Sequence, residues 1–436
     1  MKEKKANLSE DEKKRNKIKQ TELEEPYQYC IIDGTQQKIG NYKVEPPGIF
    51  LGRGNHPKLG MIKRRVYPKD VTLNLSKDAP IPVPNVNNID GSTKWGEIIH
   101  DTNVIWLASW KDTISGKVKY VFTSLESFFK SKSDEDKFDL ARNLKKKINT
   151  IRSDYEKQLI SSDIKSRQLA TALYFIDHLA LRVGSSKDTK EEADTVGVTS
   201  LRVEHLTLLE NSMIKLDFLG KDSVRFCKKI QVIEPVYKNL QDFIKDKKNK
   251  EELFEYINAT VLNQYLDSFM KGLTAKVWRT YNASQLFQKE IDRIKEDHIE
   301  SIDANERLNY LIAMFNQANT SVALLCNHQK AVNHGIDNML TKIDDRIKEL
   351  KKMKLKQTNK DKIKKLDIKI KSLKLKKDTK IKMKNVSLGT SKNNYIDPRI
   401  IFSFIKKFDI PPLKLFTEKL LKRFEWANKV DKEYHF

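Results

Sequence analysis

Residues 387–400 read SLGTSKNNYIDPRI and follow directly on a lysine-laden run. Tyr395 stands there in a polar Asn-Asn-Tyr turn locked by Pro398. Such a tyrosine is either a plain turn residue or a nucleophile carried to something the lysines hold. The second reading defines a chemistry, the breaking of a nucleic-acid strand without metal or nucleotide. A tyrosine nucleophile keeps the strand end as a covalent phosphoester, so no bond energy is lost to water. The nonbridging oxygens need fixed positive charge as five oxygens crowd round phosphorus. Arginine suits this best, because its fork matches two phosphate oxygens and it never loses its charge. The leaving sugar oxygen needs a proton donor, which Lys or His can be.

The chain offers a candidate for each role. Arg182 ends a helix expected over about 163–183. At about 100° per residue it lies roughly 120° from the centre of that helix's apolar stripe, so it flanks the core and can emerge into a cleft. Lys221 sits at a hairpin tip between Gly220 and Asp222. Arg279 lies in LTAKVWRTYNAS, just after an N-cap expected at Thr274, with Trp278 and Tyr281 beside it to pack on the core. His328 closes the helix NYLIAMFNQANTSVALLCNHQ on the side away from Leu308, Ile312, Phe315 and Val322. Each also has an ordinary reading. Arg182 and His328 fit as cations favoured near helix C-termini, Lys221 as a turn lysine, Arg279 as a surface arginine. Their value is as a set. The histidines lack metal-ligand spacing, so no metal site and no cofactor is expected.

The elements that must position these residues follow from periodicity. Residues 1–25 are almost entirely polar and read as a disordered or helical arm. Residues 26–125 carry short apolar runs, VIWLASW (104–110) and VKYVFTS (118–124), broken by Gly, Pro and Asn, which predict strands. The stretch DAPIPVPNVNNIDGS (78–92) predicts a loop. From 126 to 330 helices dominate: Leu140, Leu144, Ile148, Ile151, Tyr155 and Leu159 form one stripe, and the 163–183 helix stops at Gly184. MIKLDFLGKDSVRFCKKIQV (213–232) interrupts them as a hairpin. Within 331–384, Ile336, Leu340, Ile343, Ile347 and Leu350 step four and three. The seam breaks near 356–360 and restarts with Ile363, Leu366, Ile370 and Leu373, an antiparallel coiled coil with lysines outside. The last part, 385–436, has Phe402, Phe404, Phe424 and Trp426 available for burial.

Bulk properties bound the partner. The chain has 436 residues, enough for about two to four domains. Its formal charge is +24, which points to a polyanion through long-range attraction and counterion release. The three cysteines, Cys30, Cys227 and Cys326, are far apart in sequence and include no Cys-x-x-Cys, against a disulfide framework and consistent with a reducing compartment. No run of about 18 apolar residues occurs, so no membrane span is expected. The charged N-terminus is no signal peptide. KKRNKIK at 13–19 fits a nuclear address. No Walker-type GxxxxGK[ST] run is present.

Taken in order, Arg182, Lys221, Arg279, His328 and Tyr395 resemble the active-site series of the eukaryotic type IB DNA topoisomerases. So do the blocks EPPGIFLGRGNHPKLGMIKRR (45–65), TALYFIDHLALRVG (171–184), ADTVGVTSLRVEHL (193–206), DFLGKDSVRF (217–226), GLTAKVWRTYNAS (272–284), LLCNHQ (324–329) and LGTSKNNYIDPRI (388–400), all in family order. The resemblance covers about residue 8 to Phe436. It implies that Tyr395 forms a 3′-phosphotyrosyl link, that Arg182, Arg279 and His328 hold the nonbridging oxygens, and that Lys221 protonates the leaving 5′ oxygen. It further implies a loop closing round double-stranded DNA at Arg53, Asn55, His56 and Lys58. Further implied contacts are Lys63, Arg64, Arg65, Thr195, Lys276 and Asn394 within the matching blocks, and Lys187 in SSKDTKEE (185–192), the opposing lip of that loop. Gly52, Arg53, Asp222 and Asn394 match positions lining the camptothecin pocket.

The implied fold is an α+β multidomain DNA clamp. It has an arm (1–25), a small β-rich lobe as a reduced cap (26–125), a mostly α-helical catalytic core with a β-hairpin (126–330), an antiparallel coiled-coil linker (331–384) and a small helical C-terminal segment bearing the tyrosine (385–436). The implied activity is relaxation of supercoiled DNA without ATP or metal, by a monomer, in the nucleus or a viral or reduced-genome compartment containing DNA. The chain departs from the family pattern at Leu51, where a basic residue is usual, and at Ser185 and Ser186, where Asn-Glu is usual. The linker is short, the loop near 81–94 matches only loosely, and most of the long N-terminal region is missing, which implies a smaller cap. A tyrosine recombinase, with a similar set of site residues, and a non-catalytic basic DNA- or RNA-binding scaffold remain as alternatives.

Overall fold

The computed structural model describes residues 9–41, 44–84, 94–300, 302, 304–329, 335–382 and 384–436. The fold is mixed α/β, and two compact units divide it. One comprises Met1–Asp134 with Thr189–Ala193, the other Glu135–Asp188 with Asp194–Phe436.

The first unit opens on helix α1 (Glu10–Glu24), which buries no side chain. A capping box starts it: Glu12 N–H donates to Ser9 Oγ at 3.2 Å and Ser9 N–H to Glu12 Oε2 at 2.9 Å. Acidic residues in the first turn favour the same end of the dipole. This settles the arm as helical over those residues. Strands β1 (Tyr29–Ile32) and β2 (Thr35–Lys38) form a hairpin. Its two-residue turn, Asp33-Gly34, has positive φ at both positions (48° and 73°), as the tightest right-twisted hairpins require. Strands β3 (Gly48–Ile49) and β4 (Ile62–Lys63) pair and frame the loop 50–61. Strands β5 (Val71–Asn74), β6 (Glu97–Ile99), β7 (Ala108–Lys111) and β8 (Val118–Val121) make a sheet ordered β6-β5-β7-β8 over a small core of Val71, Leu73 and Trp110. Both predicted strands, 104–110 and 118–124, are therefore shorter than their apolar runs. Before β7, the Asn74 side chain holds the carbonyls of Asp101 and Trp106 at 2.9 and 3.2 Å and fixes that stretch as a loop. Residues 85–92 of the Pro-rich loop lie outside the described residues.

The second unit holds the main core. Helix α2 (Phe128–Gln158) begins before its boundary and runs into it, burying Leu144, Ile148, Ile151 and Tyr155 on one stripe. Helix α3 (Ile164–Leu179) is almost wholly buried through its middle. Strands β9 (Leu206–Leu208), β10 (Met213–Gly220) and β11 (Val224–Gln231) form an antiparallel sheet ordered β11-β10-β9. Helices α4 (Glu234–Ile244), α5 (Ala259–Phe269), α6 (Ala275–Ile291), α7 (Glu296–Glu300) and α8 (Ala304–Leu325) follow. One carboxylate ties three of these helices. Asp177 on α3 accepts two hydrogen bonds from Arg152 on α2, both 2.8 Å, one from Tyr155 at 2.8 Å and one from Trp278 Nε1 on α6 at 3.1 Å. Burial opposes its charge, yet the guanidinium and these donors hold its carboxyl below the usual range.

Helices α9 (Ile336–Leu355) and α10 (Lys360–Lys382) pack together through Ile343, Ile347, Leu350 and Ile370. The ion pairs Asp337–Lys384, Asp344–Lys377 and Lys354–Asp367 run in opposite chain order, so the helices are antiparallel. Each exposed pair contributes no more than about 1 kcal/mol, so the apolar seam holds the hairpin. The Ile336 side chain lies outside the described residues. Ile368 and Leu375 turn instead to the main core, laying α10 along α8. Helices α11 (Leu388–Asn394), α12 (Pro398–Lys407) and α13 (Glu418–Arg423) complete the chain. Phe402, Phe404 and Phe424 are buried, and Trp426 packs partly buried against the same core. No helix among the described residues is long and apolar enough to cross a membrane.

Candidate active site

Arg182 is not on a helix. Helix α3 ends at Leu179, four residues short of the predicted end at 183, and Ala180 takes a left-handed conformation (φ 48°) that disfavours an alanine by roughly 1 kcal/mol. The next residues are held by tertiary pairing rather than by the helix. The Arg182 carbonyl accepts Val198 N–H at 2.9 Å, and that of Val183 accepts Thr199 N–H at 2.7 Å. Periodicity cannot register such a pairing, because the partner lies about one loop away in the sequence. Two glycines permit the close approach. A Cβ on Gly197 would stand 2.7 Å from the Arg182 carbonyl oxygen and 2.5 Å from Gly184 Cα. Gly197→Ala should therefore displace Arg182, lowering stability by about 1–3 kcal/mol. Urea unfolding measures that loss.

Lys221 projects from the β10–β11 turn, where Gly220 faces Val224 and Asp222 takes φ 66°. The stacked rings of Phe218 and Phe226, 5.1 Å apart, stiffen the hairpin below the tip. Strand β11 is also pinned to the chain after α8. The side chains of Asn327 and Gln329 donate to the Arg225 carbonyl at 3.3 and 3.1 Å.

Helix α8 ends in a Schellman motif. Asn327 takes φ 53°, its N–H reaches the Leu324 carbonyl at 3.3 Å, and His328 N–H reaches that of Ala323 at 2.8 Å. That turn aims His328 inward, and it frees the Cys326 carbonyl to accept Arg279 Nη2 at 2.9 Å. Thr274 caps α6 as predicted, its hydroxyl accepting Val277 N–H at 3.4 Å. Arg279 on α6 is 3% exposed. Its guanidinium lies 4.8 Å from the centre of the Tyr395 ring, and the His328 ring lies 5.1 Å from the same ring. Tyr395 follows the last turn of α11. Its carbonyl accepts Ser284 Oγ at 3.1 Å, and Asp397 N–H donates back to Ser284 Oγ at 3.0 Å. Helix α6 thus carries both Arg279 and the serine that anchors the tyrosine's backbone. Arg182, Lys221 and Arg279 line one open cleft of about 430 Å³ with Phe218, Phe226 and Cys326.

Charge in this cluster is one-sided. Burial first, then the fields of Arg279 and Arg182, push the His328 imidazole down from its ordinary 6.5 to about 3. The ring is neutral at physiological pH. Arg279 Nε and His328 Nε2 are both buried without a hydrogen-bond partner among the described residues. Two such groups with unused hydrogens, both against the Tyr395 ring, suit an anion with several oxygens. The linkage has a definite sign. Between about pH 6.5 and 3 the unfolded chain binds a proton at this histidine that the native protein does not, so stability falls as pH falls. The unsubstituted protein should lose about 2 kcal/mol more than His328→Gln between pH 7 and pH 5, measured by urea unfolding. Equal losses would show that the ring is not held neutral.

The other predicted residues fall in both units. In the first, Arg53, Asn55, Arg64 and Arg65 are exposed. His56 packs edge-on to Phe50 at 4.9 Å, and its Nδ1 accepts Lys58 N–H at 3.1 Å. Lys58 reaches the Ile114 carbonyl at 2.8 Å and pairs with Glu191. Lys63 pairs with Glu45 at 2.6 Å. Gly52 leaves room for His56, whose Cβ would be 2.7 Å from an added methyl. In the second unit Lys187 bonds the Thr195 hydroxyl, and Lys276 and Asp222 are exposed. Asn394 is exposed and its carbonyl accepts Lys137 Nζ at 3.2 Å. Sequence reasoning missed Gly197, Ser284, Cys326, Asn327 and Ser391. Only Asn327 left a signal, an Asn just past a long apolar helix.

Three family models match consecutive stretches of the chain. The eukaryotic DNA topoisomerase I DNA-binding fragment matches residues 1–123, the catalytic core of the same family 126–364, and a C-terminal topoisomerase domain 367–436. DNA topoisomerase 1 of Caenorhabditis elegans is 41% identical over 99% of this chain and 56% of its own length. The Homo sapiens protein of that name is 38% identical over 98% of this chain and 58% of its own. That of Candidozyma auris is 38% identical over the whole chain and 70% of its own. The chain thus spans somewhat over half the length of its worm and human relatives.

Proposed function

Because the chain belongs to the eukaryotic DNA topoisomerase I family, we propose that it relaxes supercoiled duplex DNA by cutting and resealing one strand. The phenol oxygen of Tyr395 attacks the scissile phosphorus and releases its proton to water, the bond to the 5′ oxygen breaks, and the strand is left as a 3′-phosphotyrosyl ester. Arg182, Arg279 and the neutral His328 hold the nonbridging oxygens, and Lys221 gives its proton to the leaving 5′ oxygen. Rotation of the free end dissipates torsion. Attack by the 5′ hydroxyl then reverses the chemistry, so no bond energy needs to be supplied from outside. The observation that carries this reading is the Tyr395 ring set against Arg279 and His328, beside the cleft lined by Arg182 and Lys221.

Arg53, Asn55, His56, Lys58, Lys63, Arg64, Arg65, Lys187, Thr195, Lys276 and Asn394 contact the duplex, and Gly52, Arg53, Asp222 and Asn394 border an inhibitor pocket of the camptothecin type. The five-part division at 25, 125, 330 and 384 makes the chain a DNA clamp, with α9 and α10 as its coiled-coil linker, acting as a monomer in the nucleus. The test is a negatively supercoiled plasmid incubated with the protein in EDTA without ATP. A ladder of relaxed topoisomers is expected. Unchanged topology with intact protein would reject the proposal.

A further inference from the structure

We propose that Ser391 is a positioning residue, whose hydroxyl donates to His328 Nδ1 and fixes the ring in the tautomer that presents Nε2–H to the scissile phosphate. This rests on the proposed strand-cleavage reading of the site. Ser391 is fully buried. Its Oγ lies 2.8 Å from His328 Nδ1, and its carbonyl accepts the N–H groups of Tyr395 at 2.9 Å and Ile396 at 3.1 Å. One residue therefore touches both the imidazole and the backbone of the tyrosine.

The direction of the hydrogen bond follows from accounting for each hydrogen. Burial and the guanidinium groups of Arg279 and Arg182 keep the ring neutral, so it carries one N–H. Were that hydrogen on Nδ1, it would donate to Ser391 and leave a bare Nε2 lone pair facing the anion. The serine hydrogen would then need another acceptor, and among the described residues Oγ makes no other hydrogen bond. A buried hydroxyl left without an acceptor is strongly disfavoured. Donation from Ser391 to Nδ1 satisfies both groups and leaves Nε2–H, which is buried and unpartnered, for the phosphate.

The test starts on the DNA-free full chain labelled with nitrogen-15 histidine, with His328 assigned by comparison with His328→Gln. The ring should show a protonated Nε2 and a bare Nδ1 from pH 5 to 8, and Ser391→Ala should shift it to a mixture. Single-turnover cleavage by Ser391→Ala should slow about tenfold, the scale of one hydrogen bond, with DNA affinity unchanged. Ser391→Thr, which restores the hydroxyl, should recover most of the rate. In a His328→Gln background Ser391→Ala should add no further loss. A protonated Nδ1 in the unsubstituted protein overturns the proposal, as does an additive loss in the double variant. Because the ring is read without DNA, its spectrum judges the tautomer separately. Absence of cleavage by the unsubstituted chain would instead overturn the reading of the reaction.

Discussion

Tyr395→Phe should abolish plasmid relaxation while leaving salt-sensitive DNA binding nearly unchanged. The substitution removes one oxygen atom from a ring that keeps its contacts with Arg279 and His328, so the turn at 395 retains its shape. Its carbonyl stays on Ser284 and its N–H on Ser391. With no phenol oxygen there is no covalent ester, and the rate should fall on the order of 10³-fold or more, as when other enzymes lose their nucleophile. Affinity depends on many phosphate contacts spread over a chain of net charge +24. One hydroxyl changes it by no more than about 1 kcal/mol. Relaxation assays and a salt titration of duplex binding on the same preparation separate the two. Relaxation at the unsubstituted rate would move the nucleophile to another residue.

Lys221→Ala should slow cleavage by roughly 10²- to 10⁴-fold, the usual range for losing a general acid. The decisive comparison is between leaving groups. A 5′ oxygen leaves poorly without a proton, whereas a 5′ sulfur leaves as a thiolate unaided. The loss should be large on the oxygen substrate and nearly vanish on the sulfur one. Lys221 is exposed at a hairpin tip, and the turn depends on positive φ at Asp222 and Ser223 rather than on the lysine. The truncation therefore leaves the hairpin intact. Equal losses on both substrates would assign Lys221 to binding the phosphate instead of protonating the sugar.

Periodicity made the scaffold legible. The stripe Leu144, Ile148, Ile151 and Tyr155 is a buried face of α2, the hairpin over 213–232 is β10 and β11, and the seam residues Ile343, Ile347, Leu350 and Ile370 do pack together. These features arise from local repetition, which a sequence displays. The end of α3 was not legible, because the segment after Ala180 is set by pairing with Val198 and Thr199 across a loop. The site was legible as a series of residue types in order, but not as geometry. What holds Arg279 is the Cys326 carbonyl, and what holds the Tyr395 turn is a pair of buried serines, Ser284 and Ser391. Main-chain acceptors and lone serines carry no signature of their own. Their role exists only once α6, α8 and α11 are packed.

The central claim is that Tyr395 is joined to the DNA. The most direct measurement is to mix the protein with an end-labelled duplex in EDTA, stop the reaction with detergent, and digest and sequence the peptide that remains on the DNA. The account predicts a peptide spanning 387–400 attached through Tyr395 to a 3′ phosphate, opposite a free 5′ hydroxyl. Attachment through any other residue, or to a 5′ phosphate, would contradict it.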